Sequence, residues 1–438
     1  MKLRVLMLCL TALSAVSFSH AQTSSPDPSV TPAAELTGRP PGVPRKQSRN
    51  TVGFPTPAMV AGQPIETRPP EKPDDTPAFP GQTRASYQAS MAYNVTIVTD
   101  QLKLPWSLAF LPDGKMLVTE KPGNMRLVDA SGVVSAPLSG TPSVNYQGQV
   151  GLLDVALDRD FPRNHRIFFT YSEAEPGDTT AIVVSRATLD EAGGTLSGTE
   201  VIFRAKPGLP RAVSTNQGGR IAVAPDGTLF VTIGDRASVP PWDMAQKLDN
   251  DLGKIIHINA DGSAARGNPF AHTDGALPEI WTYGSRSEEG LAFAPSGQLW
   301  ETENGPRGGD KLIKVMPGQN YGWPVIVHGL DYSGDPIGEG ITQKEGLTQP
   351  RYYWDPVIAP SGLAFYHGTL FPAWRHSVFV GALRGMMLDR LELDGDKVVA
   401  EEPMLVDQHA RVRDVRVGSE GAVYVLTDNG KLLKLTPR

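Results

Sequence analysis

The sequence predicts an all-β protein, a six-bladed β-propeller, and two observations support this prediction. First, a short phrase related to Gly-Leu-Ala-Phe, with a Pro/Asp/Gly turn in most copies, recurs six times in the C-terminal three-quarters of the chain. Second, each copy continues into another apolar run rich in β-branched or aromatic residues. Two such runs joined by a tight turn are typical of an antiparallel hairpin. Six copies therefore indicate six hairpins of one repeated unit.

The spacing of the copies identifies the repeated unit. The copies begin at Ser107, Gly151, Gly219, Gly290, Gly362 and Arg413, and their second runs are 116–119, 167–171, 229–233, 299–302, 378–382 and 423–427. A period of roughly 45 to 70 residues is too long for helical repeats and is typical of four-stranded propeller blades with loop insertions. A large two-sheet sandwich also contains many short strands, but it gives no reason for one phrase to recur in every hairpin.

The N-terminus is typical of an exported protein. Lys2 and Arg4 precede an apolar run over 5–18, and small residues surround a cleavage position after Ala21. This pattern predicts a signal peptide over 1–21, and its apolar run is too short to span a bilayer. We therefore expect a periplasmic or secreted protein with no membrane span.

The next stretch, 22–90, is crowded with Pro, Ser and Thr and has no sustained apolar period. Such a composition buries too little apolar surface to offset the entropy of ordering the chain, so it predicts a mostly disordered linker. The remaining residues, 91–438, are enough for one large propeller and leave no room for a second domain.

Composition excludes several classes of function. The single cysteine, Cys9, lies inside the predicted signal peptide, so the mature chain has no thiolate nucleophile and no disulfide. The net charge is −6 and no basic run appears, which argues against a nucleic-acid partner. The sequence also lacks the G-x-S-x-G, H-E-x-x-H, P-loop and Rossmann patterns.

The loops after the strands carry the most specific signal. They include Pro278-Glu-Ile-Trp-Thr-Tyr-Gly-Ser-Arg, Glu303-Asn-Gly-Pro-Arg-Gly-Gly-Asp-Lys, Asn320-Tyr-Gly-Trp-Pro, Ala359-Pro-Ser-Gly-Leu-Ala-Phe-Tyr and Arg411-Val-Arg-Asp-Val. With these motifs in this order, the chain from about Tyr93 onward resembles the soluble PQQ-dependent sugar dehydrogenases, the glucose/sorbosone or aldose sugar dehydrogenase family. The resemblance implies a six-bladed propeller that binds pyrroloquinoline quinone (PQQ) and Ca²⁺ at the top of the blades.

The resemblance also implies a set of cofactor-binding residues. It assigns this role to Arg286, Ser287, Arg384, Arg411 and Arg413. PQQ carries three carboxylates, and fork-shaped guanidinium donors are suited to hold such an anion in a net-acidic protein. Taken alone, each arginine is better explained by a surface salt bridge, and its place in a motif that matches the family favours cofactor binding instead.

For the metal, the resemblance points to the backbone carbonyls of Gly305 and Pro306, with Asn304 and Asp310 flanking this loop. Calcium is a hard cation that accepts carbonyl oxygens, and beside a quinone it acts as a Lewis acid. The alternative is that Gly305-Pro306 is only a turn.

The catalytic position departs from the family pattern. The resemblance places Gln149 near the sugar and Asp235 behind the general base, but Asn216 stands where the family has a histidine. An asparagine cannot take a proton near neutral pH, and loss of a general base typically costs about 10² to 10⁴ in rate.

A second departure follows Arg286, where the family's Asn-Pro-Gln becomes Ser287-Glu288-Glu289. Either glutamate, or Asp235 itself, is a candidate substitute base. Two added carboxylates would also repel a tricarboxylate cofactor. The alternative is that they are solvated loop acids.

Three functions follow. The first is PQQ- and calcium-dependent oxidation of a sugar or related alcohol, with a separate external electron acceptor. The second is a catalytically impaired propeller that binds quinone, calcium or carbohydrate. The third is a calcium-dependent propeller lactonase, against which the arginine set argues. The sequence does not indicate the substrate, the acceptor or the oligomeric state.

Overall fold

The computed structural model describes residues 57–237 and 242–438. The predicted signal peptide, 1–21, and residues 22–56 of the predicted linker lie outside the described residues. Within the described ranges, no helix has the length and apolar character needed to cross a membrane.

The strands of the described residues form six antiparallel sheets, which confirms the predicted propeller. Blade 1 contains β2 (Pro105–Phe110), β3 (Met116–Glu120) and β4 (Asn124–Val128). Blade 2 contains β5 (Leu152–Leu157), β6 (Arg166–Glu175), β7 (Thr179–Asp190) and β8 (Thr195–Arg204), with β9 (Leu209–Pro210) beside β7. Blade 3 contains β10 (Gly218–Val223), β11 (Leu229–Ile233), β12 (Lys254–Ile258) and β13 (Ile280–Tyr283).

The second half of the ring continues the same pattern. Blade 4 contains β14 (Glu288–Phe293), β15 (Leu299–Glu303), β16 (Asp310–Lys314) and β17 (Tyr352–Trp354). Blade 5 contains β18 (Pro360–Phe365), β19 (Ser377–Ala382), β20 (Met387–Asp394) and β21 (Lys397–Met404). Blade 6 contains β22 (Val412–Val417), β23 (Val423–Thr427), β24 (Leu432–Pro437) and β1 (Tyr93–Thr99). The helices are short: α1 (Phe161–Asn164) and 3-10 turns at Asp243–Gln246, Pro372–Trp374 and Val406–Gln408.

The ring is closed in blade 6, which joins the first and the last strand of the propeller. The innermost strands β2, β5, β10, β14, β18 and β22 each contact the next, and β22 contacts β2. Within blade 6, β1 is the outermost strand and pairs with β24, where Tyr93 lies opposite Pro437. Closure leaves no open edge on the ring of blades, and this stabilises a propeller whose blades otherwise contact only their neighbours.

Apolar side chains fill the spaces between neighbouring blades. Leu117, Leu152 and Phe169, from blades 1 and 2, belong to one buried cluster. In another, the rings of Phe371 and Trp374 stack 3.7 Å apart between blades 5 and 6. Burial of apolar surface at about 25 cal/mol per Å² is what drives the blades together.

One arginine ties three blades together at the centre of the ring. Arg220 of blade 3 is 1% exposed, and its guanidinium lies 3.9 Å from the ring of Trp106 in blade 1. Its Nη1 donates to Asp414 Oδ1 of blade 6 at 3.0 Å. Burial lowers the pKa of Arg220, and the carboxylates of Asp414 and Asp154 oppose that shift. This pairing compensates for a charge that would otherwise be costly to bury.

Residues 57–90, named here the N-terminal strap, differ from the predicted disordered linker. They run along the outer strands of blades 4 and 5, and Ile65, Gln82 and Ala85 are buried there. Tyr353 N–H of β17 donates to Gln82 O at 2.9 Å, and Gln88 N–H donates to Glu401 O of β21 at 3.2 Å. The strap forms hydrogen bonds with the outer strands of two blades. Because these strands are far away in the sequence, the strap's own residues show no periodic pattern that would have predicted an ordered segment.

Candidate functional site

The propeller topology gathers the predicted site residues at one end of the ring. The first two strands of each blade are antiparallel, so the start of the first and the end of the second lie at the same end. We call this end the loop face. The predicted residues at or near these strand ends are Gln149, Asn216, Asp235, Arg286, Ser287, Glu288, Gly305, Pro306, Arg384, Arg411 and Arg413.

Hydrogen bonds join three of the predicted catalytic residues. Asn216 N–H donates to Gln149 Oε1 at 2.9 Å, and Asn216 Nδ2 donates to Asp235 Oδ1 at 2.8 Å. Asp235 also accepts from Ala237 N–H and, through Oδ2, from Trp323 Nε1, both at 2.8 Å. With its NH₂ group held by Asp235, the Asn216 amide has its oxygen left to accept a hydrogen bond from a substrate hydroxyl.

The position of Asp235 suits orientation better than direct proton transfer. The side chain is 0% exposed, and burial raises its pKa while Arg286, Asn216 and Trp323 act in the opposite direction. Three N–H donors already occupy its oxygens, which favours the carboxylate as a fixed acceptor. Asp235 therefore holds the Asn216 amide and is not itself exposed at the loop face.

Arg286 links this trio to the loop proposed for the metal. Its Nη1 donates to Asn304 O at 2.8 Å and Gly305 O at 3.1 Å, and its guanidinium lies 5.4 Å from the Trp323 ring. Burial opposes its charge, but Tyr332, Asp235 and Glu303 together raise its pKa. Arg286 is thus a fixed cation beside the carbonyls of the loop.

Asp310 fixes the backbone of the Gly305-Pro306 loop. Its Oδ1 accepts from Gly305 N–H at 2.7 Å, and its Oδ2 accepts from Ile358 N–H and Ala359 N–H at 2.7 Å each. Burial raises the pKa of Asp310 to about 7, against these backbone bonds. A Cβ on Gly305 would collide with the backbone of Gly308 and Gly309, so only glycine fits here.

The oxygen atoms of this loop are suitable ligands for a hard cation. Gly305 O shares one lone pair with Arg286, and Asn304 Oδ1 is buried without a hydrogen-bond partner in the described residues. In the same residues, no three His, Cys, Asp or Glu side chains are grouped to hold a metal ion. A cation here would therefore take neutral backbone and amide oxygens, and the balancing charge would come from a bound anion.

A second group of cations lies across the loop face, on blades 1 and 6. Arg411 Nε donates to Asp428 Oδ2 at 2.9 Å, and Arg413 Nε donates to Asp428 Oδ1 at 2.8 Å. Although burial raises the pKa of Asp428, the two arginines hold it at about 2. Lys121 lies near them, and burial together with Arg413 lowers its pKa to about 8. Glu289 also interacts electrostatically with Lys121 and Arg413, so the group has three cations and two carboxylates and keeps a net positive charge.

Arg384 lies between the two groups. It follows β19, and its N–H donates to Ile358 O at 2.9 Å, next to the turn that Asp310 holds. Burial lowers its pKa, and the neighbouring guanidinium of Arg68 adds to this effect. Arg411 Nη1 reaches Leu383 O at 3.4 Å, which connects blade 6 to the Arg384 loop.

The structure separates the two glutamates that follow Ser287. Ser287 Oγ donates to Glu289 Oε1 at 2.9 Å. Glu288 is 0% exposed inside blade 4, and neither of its carboxyl oxygens has a hydrogen-bond partner in the described residues. Burial and the nearby Glu301 and Glu303 raise its pKa well above the usual value. Glu288 therefore lies in the blade interior and makes no hydrogen bond to Asn216, Asp235 or Gln149 in the described residues, although Asp235 also contributes to raising its pKa.

Four site residues escaped the sequence analysis: Lys121, Trp323, Tyr332 and Asp428. Lys121 and Asp428 directly follow the second strands of blades 1 and 6, as Asn304 does in blade 4. The position of Lys121 and Asp428 within the repeated hairpin could therefore have identified both as site residues from the sequence. Trp323 belongs to the Asn320-Tyr-Gly-Trp-Pro motif, but its contact with Asp235 spans 88 residues of sequence.

Comparison with known proteins gives consistent matches. The family model described as glucose/sorbosone dehydrogenase matches residues 102–434. The aldose sugar dehydrogenase YliI of Escherichia coli K12 is 40% identical over 359 residues, covering 81% of this chain and 95% of that protein.

Solved structures agree with the sequence matches. The apo form of the soluble aldose sugar dehydrogenase of Escherichia coli aligns with a TM-score of 0.74 and 38% identity, covering 79% of this chain and 100% of that one. The PQQ-bound aldose sugar dehydrogenase of Streptomyces coelicolor aligns with a TM-score of 0.65 and 28% identity, covering 80% and 99%.

Proposed function

This chain belongs to the glucose/sorbosone dehydrogenase family, and we propose that it oxidises a sugar or a related alcohol with PQQ and Ca²⁺ bound at the loop face. The relative from Streptomyces coelicolor is described as PQQ-bound, and a relative from Acinetobacter calcoaceticus, 26% identical over 433 residues, is named quinoprotein glucose dehydrogenase B. These names support the cofactor assignment.

The observation that carries the proposal is the convergence of cations at the loop face of a protein with net charge −6. Arg411, Arg413 and Lys121 lie on one side, Arg286 lies on the other, and Arg384 lies between them. Such an arrangement fits a rigid anion with several carboxylates, because guanidinium groups pair with carboxylates in fork-shaped contacts. We assign Arg286, Arg384, Arg411 and Arg413 to cofactor binding and add Lys121, with Ser287 beside them.

We assign Ca²⁺ to the carbonyl oxygens of Gly305 and Pro306, supported by the orphaned Asn304 Oδ1 in the same loop. When bound, PQQ accepts a hydride from the substrate carbon, and calcium polarises the quinone as a Lewis acid. Asp310 holds the loop that would bind the cation, and Arg286 supplies a fixed positive charge beside it.

On the substrate side, Asn216 and Gln149 bind and orient the hydroxyl that is oxidised. Asp235 fixes the Asn216 amide from behind, and Trp323 fixes Asp235. Asn216 accepts a hydrogen bond but takes no proton, so the hydroxyl proton leaves to solvent. We therefore expect slower turnover than an equivalent site with a histidine would give. That feature also supports the second candidate, a propeller that binds PQQ with little turnover.

Two further assignments complete the proposal. The N-terminal sequence pattern, Lys2 and Arg4 before an apolar run, supports export to the periplasm. An external acceptor reoxidises the reduced cofactor, since the mature chain has no cysteine for an iron–sulfur cluster.

The test is an absorbance titration of the purified protein with PQQ, with and without Ca²⁺. We expect saturable binding that calcium strengthens, and a loss of affinity of about 10- to 100-fold in Arg413→Gln, because a desolvated charge contact is removed. Arg163→Gln is the matched control, since Arg163 lies on α1 between β5 and β6, at the opposite end of the ring. Equal affinity of the two variants would contradict the assignment of the arginines.

A further inference from the structure

The N-terminal strap is a feature of this chain outside the matched family region. The family match begins at residue 102, whereas the strap covers 57–90. It is nevertheless fixed in place: Thr83 Oγ1 donates to Tyr353 O at 2.8 Å, and Glu401 N–H donates to Ser86 O at 3.0 Å. Gln82 is 0% exposed. The strap therefore belongs to the folded propeller.

The strap reaches the proposed metal loop through an ion pair. Arg307 directly follows Pro306, and its Nε donates to Glu71 Oε2 at 2.7 Å while its Nη2 lies 2.5 Å from the same oxygen. Both side chains are mostly withdrawn from water, at 15% and 18% exposure. Arg307 N–H also donates to Leu330 O at 3.1 Å. Glu71 thus fixes the first side chain after the two proposed carbonyl ligands.

A second strap contact acts on the next residue of the loop. Glu71 N–H and Lys72 N–H donate to Asp355 Oδ1 and Oδ2 at 2.9 and 3.1 Å. The same Asp355 Oδ1 packs so closely on Gly308 that a Cβ there would lie 2.6 Å from it. The strap therefore positions the carboxylate that covers Gly308.

A third contact acts on the residue after that. Asp75 Oδ2 lies 2.9 Å from His328 Nδ1, and both side chains are almost completely buried. The His328 backbone packs against Gly309, where a Cβ would meet its carbonyl carbon at 2.7 Å. His328 also stacks on Tyr353, 4.3 Å between ring centroids. Three consecutive residues, 307 to 309, are thus held by groups that the strap fixes.

We propose that the N-terminal strap is a positioning segment for the metal and cofactor site, acting through Glu71, Asp355 and Asp75 on the loop that follows Gly305 and Pro306. Preorganised ligands cost less to order on binding, so a held loop gives tighter binding of the cation and of PQQ. The identity of the bound ligands rests on the proposed function, whereas the ordering of residues 307 to 309 by the strap does not.

The test is Glu71→Gln, compared with Glu191→Gln. Glu191 is about as exposed as Glu71 and forms an ion pair with Lys115. Lys115 lies between β2 and β3, so this pair is at the far end of the ring. In protein free of metal and PQQ, hydrogen exchange of the amides of Gly305, Arg307 and Gly309 should be about 3- to 10-fold faster in Glu71→Gln and unchanged in Glu191→Gln. PQQ affinity in the presence of Ca²⁺ should fall by a similar factor.

The outcomes separate the two proposals. Faster exchange in Glu71→Gln, in a protein that binds no PQQ, would support the strap's role and overturn the proposed function. Unchanged exchange and unchanged PQQ affinity in Glu71→Gln would overturn the strap's role. If Glu71→Gln fails to fold, Arg307→Gln breaks the same pair from the loop, and the exchanged pair Glu71→Arg with Arg307→Glu should restore slow exchange. Failure of the exchanged pair to do so would also count against the proposal.

Discussion

At the residue scale, the proposed chemistry depends on Asn216. The structure gives it the environment of an orienting site: Asp235 holds the amide from behind, and Gln149 accepts from its backbone N–H. A buried carboxylate fixed by Trp323 is well suited to hold an imidazole by its Nδ1–H. The surroundings of position 216 therefore fit a general base that the side chain itself does not supply.

Asn216→His should raise the turnover number with an aldose by about 10² to 10⁴, the usual contribution of a general base. The new pH–rate profile should rise through a pKa near that of histidine, about 6.5. Steady-state assays with a dye acceptor at pH 5 to 9 would measure both effects. Asn216→Gln is the control, since it adds length but no titrating group, and a gain of equal size in that variant would contradict the explanation.

The residue scale also shows how far the sequence alone could predict the site. Asn216, Asp235 and Gln149 lie together, as the resemblance implied, because each follows or precedes a repeated strand. Glu288 does not join them. It occupies the first position of β14, opposite Glu303, and the pleat of the sheet turns its side chain into the blade. The direction in which a strand residue points depends on a register that its own sequence does not reveal.

At the element scale, three residues of the candidate site occupy the same loop position in different blades. The residue after the second strand is Lys121 in blade 1, Asn304 in blade 4 and Asp428 in blade 6. The predicted hairpins were confirmed with small changes at the ends; for example, the run 299–302 is observed as Leu299–Glu303. The strap was not predicted, because its anchors, such as Gln82 on Tyr353, lie about 270 residues away and leave no local pattern.

Lys121 should make cofactor binding depend on pH. Burial and Arg413 lower its pKa to about 8, so the side chain is charged below pH 8 and neutral above it. An anion such as PQQ binds the charged form better, so affinity should be constant from pH 6.5 to 7.5 and fall by about 3- to 10-fold between pH 8 and 9.5. Titrations across this range would measure the change.

Lys121→Met should bind PQQ more weakly at pH 7 and lose this dependence. Lys397→Met, at an exposed position at the start of β21, should behave as the unaltered protein does. A pH dependence that persists in Lys121→Met would assign the effect to another group.

At the scale of the whole molecule, two features matter for the proposed site: the distribution of charge and the closure of the ring. The chain carries a net charge of −6, yet five of its cations lie together at the loop face: Lys121, Arg286, Arg384, Arg411 and Arg413. Pairing of β1 with β24 closes the ring and fixes the positions of blades 1 and 6, which together carry Lys121, Arg411 and Arg413. Because the ring is rigid, it holds these cations at fixed distances although they repel one another, whereas flexible loops would let them move apart.

We propose that this ring holds PQQ and that a sugar reduces it there, and the absorbance spectrum of the calcium- and PQQ-loaded protein is the decisive test. The spectrum would be recorded before and after anaerobic addition of a panel of aldoses and simple alcohols. We expect at least one aldose to bleach the oxidised quinone, slowly in the unaltered protein and about 10² to 10⁴ faster in Asn216→His. Stable PQQ binding with no reduction by any of them in either protein would contradict the dehydrogenase assignment and favour a propeller that only binds its ligand.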